Sequence, residues 1–141
     1  MAPPNPDSKT EPIMSAEPLH TTYRGYDVYS SPGLSRGGLE MVLSLNLLEG
    51  FDLESLGHNS ADVLHVMTEV IKLAKRDVHY FVGDPAHTAI PVAGLTSKSF
   101  ASTRRAQVSM DRAMPYPEPG APPGATERSA RGAGLSPFSD K

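Results

Sequence analysis

The middle of the chain carries its hydrophobic residues at helical spacing, and the two ends do not. Seven of the ten residues from Leu39 to Leu48 are apolar. That many apolar positions cover most of a helix's circumference, which predicts a buried helix. Gly50 follows at a position where glycine commonly ends a helix.

A second, longer helix is predicted from Ala61 to Val82. Ser60 can cap its first N–H groups, and Asp62 lies in the first turn, where the helix dipole favours negative charge. Pro85 disfavours helical geometry in the residue before it, so the helix should end by "VGDP". The apolar stripe comprises Val63, Met67, Val70, Ala74, Val78 and Phe81. The polar stripe, which we expect to face solvent, comprises Asp62, His65, Glu69, Lys72, Arg76 and His79.

Shorter patterns complete the predicted domain. The stretch "TTYRGYDVYS", residues 21–30, alternates aromatic and β-branched residues around Arg24-Gly25, which favours two short strands or one strand with a turn. A third helix is predicted from about Ser97 to Val108, with Thr96 or Ser97 as its cap, after an irregular stretch over 86–95. The predicted fold class is α+β, mainly helical with a short β-hairpin.

Proline and glycine mark both ends of the chain. Residues 1–18 contain five prolines, and residues 111–141 contain six together with several glycines. Such segments bury too little apolar surface to offset chain entropy, so both are predicted to be disordered. The part in between, residues 19–110, is predicted to be one small domain.

Composition excludes several functions. The 141 residues are 38% hydrophobic and 21% charged, with a net charge of −3 and no cysteine. Disulfides, thiolate nucleophiles and cysteine zinc sites are therefore excluded. No apolar run is long enough to span a membrane, and no secretory signal is present, so the chain as written is predicted to be cytoplasmic and without a membrane partner. The basic run "STRRAQ", residues 102–107, is too short to bind nucleic acid and is expected to be a solvated helix face.

Four blocks of the sequence resemble one enzyme family in order and spacing. They are "TTYRGYDVYSSP...GG", "LNLLEGFDLESLGHNSADVLHVMTEVIKLA", "YFVGDP" and "IPVAGLTSKSFASTRRA". The chain is similar over about Glu17 to Gln107 to the C-terminal part of the large subunit of the γ-glutamyltransferase (glutathione hydrolase) family. The residues "GFDL...LGHNSADxLHxxxE", "GDP" and "L(T/S)SKxFAxxRRA" are the most specific part of the resemblance.

The resemblance implies an N-terminal-nucleophile hydrolase with an αββα fold, made as a precursor that cuts itself into two subunits. It implies a threonine nucleophile at the start of the small subunit, in a Thr-Thr-His motif, with its own amino group as general base. Such an enzyme transfers the γ-glutamyl group of glutathione to water, an amino acid or a peptide through an acyl-enzyme.

The 141 residues contain no Thr-Thr-His. The family's substrate-binding arginine and oxyanion-hole glycines belong to regions that the resemblance does not reach. The chain is therefore expected to be a fragment of such an enzyme, inactive alone, with no catalytic, cofactor-binding or metal-binding residue and no cofactor. Its expected partner is the small-subunit portion, and glutathione would bind only to the complete enzyme.

Several residues imitate functional motifs. His20-Thr21-Thr22 is the nucleophile motif reversed, but it lies where a strand is expected, and Thr126 has no histidine beside it in the sequence. Gly37-Gly38 could form an anion-binding helix start. The resemblance implies instead that the chain enters the buried helix through this glycine pair. His65 and Glu69 share a helix face and could bind a metal, although a solvated face is the favoured interpretation. Asp84 is expected to be a turn residue.

One alternative function comes from the tail. Pro119 and Pro122 in "PYPEPGAPPG" have PxxP spacing, which is typical of ligands for proline-recognition domains. Under this hypothesis the chain is a non-catalytic interaction module that binds a partner through its tail.

Overall fold

The structure is a computed structural model that describes residues 17–33, 35–84 and 87–126. The described elements, in chain order, are β1 (Leu19–Tyr23), β2 (Tyr26–Ser30), α1 (Arg36–Leu48), α2 (Leu53–Leu56), α3 (Ala61–Phe81), α4 (Val92–Leu95) and α5 (Lys98–Arg105). A mainly helical α+β unit with one hairpin is therefore confirmed. The segments 1–16 and 127–141, for which disorder was predicted, lie outside the described residues.

Strands β1 and β2 form an antiparallel hairpin, with Tyr23 paired to Tyr26. The two turn residues, Arg24 and Gly25, have φ values of 50° and 87°, as a two-residue type I′ turn requires. Arg24 is held there by two contacts to the end of α1 and the loop after it. Its backbone N–H donates to Glu49 and its guanidinium donates to the Phe51 carbonyl, both at 3.1 Å.

Helix α1 starts three residues before the predicted Leu39, because Ser35 caps it by accepting a hydrogen bond from the Gly38 N–H. It ends at Leu48 as predicted, but Gly50 has a different role from the expected one. A side chain at Gly50 would overlap the Arg105 guanidinium. That guanidinium donates to the carbonyls of Leu47 and Asn46, each at 2.8 Å, and so satisfies the helix end.

Helix α3 begins and ends almost as predicted, with the Ser60 side chain accepting from the Val63 N–H. Its buried face, however, is rotated relative to the predicted stripe. Met67 is 41% exposed, and Glu69 is buried. The buried residues are Val66, Glu69, Val70, Leu73, Ala74, Asp77, Val78 and Phe81. The core forms where this face meets Leu39, Val42, Leu43 and Leu47 of α1, with Leu95, Phe100 and Ala101 closing one side.

Helix α5 is capped by Ser97 as expected, but it stops at Arg105, short of Val108. The last turn tightens, since Gln107 and Val108 donate to the carbonyls of Arg104 and Arg105. The stretch before α5, predicted to be irregular, contains the one-turn helix α4.

No described helix combines the length and apolarity that crossing a lipid bilayer would require.

A buried asparagine on α1 joins the hairpin to the turn before α5. Asn46 is fully buried. Its Oδ1 accepts from Thr21 Oγ1 at 2.7 Å, and its Nδ2 donates to the Thr96 carbonyl at 2.8 Å. Because each polar atom has a partner, the amide fixes the relative positions of three elements at little desolvation cost.

After α5 the chain continues through residues 109–124, which we call the strap. It contains no helix or strand, as its proline content predicts. Disorder was predicted from residue 111 onward, and the structure places residues 111–126 beside the helices. Backbone groups of the strap hydrogen-bond to side chains of α3 and α5. These hydrogen bonds stabilise the strap, which buries little apolar surface.

Candidate functional site

Part of the predicted polar stripe of α3 binds the strap instead of facing solvent, although Asp62 and His79 are exposed as expected. His65 Nε2 lies 2.7 Å from the Ser109 carbonyl oxygen, and the Met114 N–H donates to Glu69 at 2.9 Å. Further along the helix, the Gly120 N–H donates to Asp77 at 2.7 Å. Since the strap contacts follow the residue order of α3, the strap runs parallel to the helix.

Asp77 and Arg104 form the deepest part of this site. Their side chains are 0% and 3% exposed, and Arg104 Nε lies 2.8 Å from Asp77 Oδ2. The same guanidinium donates to the Glu118 carbonyl at 2.9 Å and to Gln107 at 3.0 Å. The pair thus joins α3, α5 and the strap. Burial raises the pKa of Asp77, although the Gly120 N–H and Arg104 oppose that shift.

Glu69 is the second buried carboxylate of the site, with a side chain that is 1% exposed. Burial alone would raise its pKa. Hydrogen bonds from Lys72 and from the Met114 N–H outweigh burial, and the pKa of Glu69 is lowered overall. Lys72 also donates to the Met114 carbonyl at 2.6 Å. Glu69 and Lys72 together therefore satisfy both backbone groups of one strap residue.

Arg76 holds the middle of the strap by a different contact. Its guanidinium lies 5.7 Å from the ring centre of Tyr80 and 5.4 Å from that of Tyr116, which are cation–π distances. It also pairs with Glu118 at 3.6 Å, but the Glu118 side chain is 92% exposed. The aromatic contact is therefore the more specific of the two.

The lowered pKa of Glu69 predicts acid sensitivity. Its contribution to stability is present above the ordinary glutamate value of 4.5 and is lost as pH falls through the lower folded-state pKa. We expect the difference in free energy of unfolding between the parent chain and Glu69→Gln to shrink as pH falls below 4.5. Urea denaturation across acidic pH measures it. If the free energies of unfolding of the two chains stayed equally far apart at every pH, this account would be contradicted.

The comparisons with known proteins identify the family. The family model described as gamma-glutamyltranspeptidase matches residues 11–134. The chain belongs to the γ-glutamyltranspeptidase family. The glutathione hydrolase proenzyme of Escherichia coli (strain K12) is 40% identical over 101 residues, which are 72% of this chain and 17% of that protein.

Two further comparisons agree with membership of the γ-glutamyltranspeptidase family. The acylase ACY 1 proenzyme of Pseudomonas sp. (strain SE83) is 40% identical over 100 residues, covering 71% of this chain and 18% of that protein. The crystal structure of Helicobacter pylori γ-glutamyltranspeptidase superposes with a TM-score of 0.67 at 29% identity, covering 71% of this chain and 29% of that one. The chain thus spans less than a fifth of the length of these two curated relatives.

Within this family segment, the reversed nucleophile motif lies in a strand, as expected. His20, Thr21 and Thr22 lie in β1. His20 pairs across the hairpin with Asp27 at 2.8 Å, and Thr21 bonds to Asn46. Thr126 is exposed at the end of the described chain.

The two glycines and Asp84 occupy the positions expected of them. Gly37 and Gly38 lie in the first turn of α1, and a side chain at Gly38 would meet the Ser31 carbonyl at 2.9 Å. This close approach explains why the entry to the buried helix uses glycine. The carbonyl of Asp84 accepts from the N–H groups of His87 and Thr88, which confirms a turn.

Two predictions of solvated faces are wrong. His65 and Glu69 bind the strap, and among the described residues no group of three or more potential metal-ligating His, Cys, Asp or Glu side chains is found. In "STRRAQ", Arg104 is buried and Arg105 caps the end of α1. One signal was available for α3, because Glu69 and Asp77 share helical spacing with Val66 and Leu73. Carboxylates on an apolar face indicate a buried polar contact.

Proposed function

We propose that this chain forms part of a γ-glutamyltransferase of the N-terminal-nucleophile hydrolase class, with the αββα fold, and that these 141 residues serve as scaffold. The whole enzyme would transfer the γ-glutamyl group of glutathione to water, an amino acid or a peptide through a threonine acyl-enzyme. Its partner would be the portion that carries the Thr-Thr-His motif. The 40% identity to a glutathione hydrolase proenzyme carries the proposal.

The roles of the described side chains support a scaffold. His20 and His79 pair with carboxylates, and His65 bonds to a backbone carbonyl. These three of the five described histidines therefore have structural partners. The buried charges, Asp77 and Arg104, neutralise each other and hold the strap. These contacts stabilise and orient the chain.

A chimeric enzyme tests the proposal. Residues 17–126 would replace the matching segment of the Escherichia coli glutathione hydrolase proenzyme, and release of product from a γ-glutamyl anilide would be measured. We expect the chimera to mature and to release product, while the 141-residue chain alone releases none. A folded but inactive chimera would count against a scaffold role in this enzyme, and product release by the chain alone would show that it carries reacting groups.

An acylase is the second candidate, since the acylase ACY 1 proenzyme is equally similar. Assaying the chimera with amides of other acyl groups distinguishes the two.

Nothing supports the alternative of a tail that binds a proline-recognition domain. Pro122 is buried and Pro119 half-buried within the chain itself, so the PxxP face is occupied.

A further inference from the structure

The side chains that face the strap form a groove that binds its backbone. We call it the strap groove, and it consists of His65, Glu69, Lys72, Arg76, Asp77 and Arg104. Its carboxylates accept the N–H groups of Met114 and Gly120. Its cations donate to the carbonyls of Met114 and Glu118. The charges of Glu69, Lys72, Asp77 and Arg104 therefore each meet a strap backbone group of opposite polarity.

Two strap residues add sequence specificity to this backbone recognition. The Tyr116 ring stacks on the Arg76 guanidinium. A side chain on Gly120 would lie 2.8 Å from both Phe100 and Arg104, which are themselves buried. Only glycine fits there without moving the core. In contrast, the Glu118 side chain points into solvent and leaves that position open to other residues.

We propose that the strap groove is a peptide-binding site for a segment of the pattern Tyr-Pro-x-Pro-Gly, which the chain's own residues 116–120 occupy. The two prolines suit the groove because they fix the backbone angle φ and carry no N–H group that would need an acceptor. Pro117 is buried. A free peptide of this pattern binds when the chain's own strap is displaced. This inference is independent of the proposed function.

The tether explains why the site is closed in the parent chain. The strap follows α5 directly, and a short linker of this kind gives an effective concentration on the order of millimolar. A free peptide must compete with that concentration. Weakening the strap's own fit, without changing the groove, should therefore open the site.

The test uses the full chain with Gly120→Val, which changes a strap residue and substitutes no groove residue. A fluorescent peptide with the unchanged sequence of residues 112–124 is titrated, and its anisotropy is recorded. We expect it to bind the Gly120→Val chain at least about tenfold more tightly than it binds the parent chain. A matched peptide with Gly120→Val, or with Tyr116→Ala, should bind at least about tenfold more weakly than the unchanged peptide.

Hydrogen exchange of the same chain locates the effect. Amides of residues 114–124 should exchange faster in Gly120→Val, while amides of α1 and α3 keep their protection. Should Gly120→Val prevent folding, Tyr116→Ala in the chain weakens the strap from a side chain that is 54% exposed, and the same titration applies.

Three results would overturn the inference. The first is no peptide binding to a folded chain whose strap amides exchange rapidly. The second is equal binding of the unchanged and the Gly120→Val peptides. The third is unchanged protection of the strap in the Gly120→Val chain, which would show that Gly120 is not required at the groove.

Discussion

Replacing Asp77 with alanine is expected to lower the free energy of unfolding by about 3 to 5 kcal/mol, the usual cost of leaving a buried charge without its partner. The Arg104 guanidinium is 3% exposed and its Nε donates to Asp77. The change also removes the acceptor of the Gly120 N–H. Urea denaturation followed by circular dichroism measures the loss.

Two control variants separate this charge effect from the effect of any acidic residue. Glu118→Ala removes a carboxylate that is 92% exposed, and we expect a change within about 0.5 kcal/mol. The double variant Asp77→Leu with Arg104→Met removes both charges and should recover much of the loss. A loss below about 1 kcal/mol for Asp77→Ala would mean that Arg104 finds another partner and that the pair is dispensable.

Replacing Leu43 with alanine is expected to lower the free energy of unfolding by about 2 to 5 kcal/mol, through lost burial and the cavity that remains. Leu43 is 0% exposed and belongs to the α1 face that packs in the core. The matched control is Met41→Ala on the same helix, because Met41 is 38% exposed. We expect the control to cost less than about 1 kcal/mol.

This comparison tests which face of α1 forms the core. The sequence alone predicts a helix buried around most of its circumference, since Met41 and Leu43 are equally apolar. Equal losses for the two variants, measured by urea denaturation, would show that Met41 is covered in solution and that the core extends around the helix. A small loss for Leu43→Ala would contradict the packing of α1 on α3.

Local elements could be predicted because local interactions determine them. Ser60 and Ser97 cap their helices by accepting hydrogen bonds from N–H groups three residues ahead, so the relevant partners lie within a few residues. The hairpin turn depends on two adjacent residues, Arg24 and Gly25. The start of α1 was placed too late because the apolar run at Leu39 is a stronger pattern than the Ser35 cap that precedes it.

Family membership could also be predicted from the sequence, through the order and spacing of motifs over Glu17 to Gln107. The family model then matched residues 11–134. The site could not be predicted in the same way. Its contacts join residues far apart in the chain, such as Glu69 and Met114 at a separation of 45, and no local pattern encodes that pairing.

By itself, the sequence determined the three longer helices, the hairpin, the caps of α3 and α5 and the family, because these depend on residue order and short-range hydrogen bonds. Only the tertiary structure decided that Glu69, Asp77 and Arg104 are buried and that the proline-rich strap is held. The physical reason is that a charged side chain is stable inside a protein only when distant partners satisfy it. Asp77 and Arg104 satisfy each other, and the backbone of the strap supplies further partners, so the site requires α3, α5 and the strap to lie side by side.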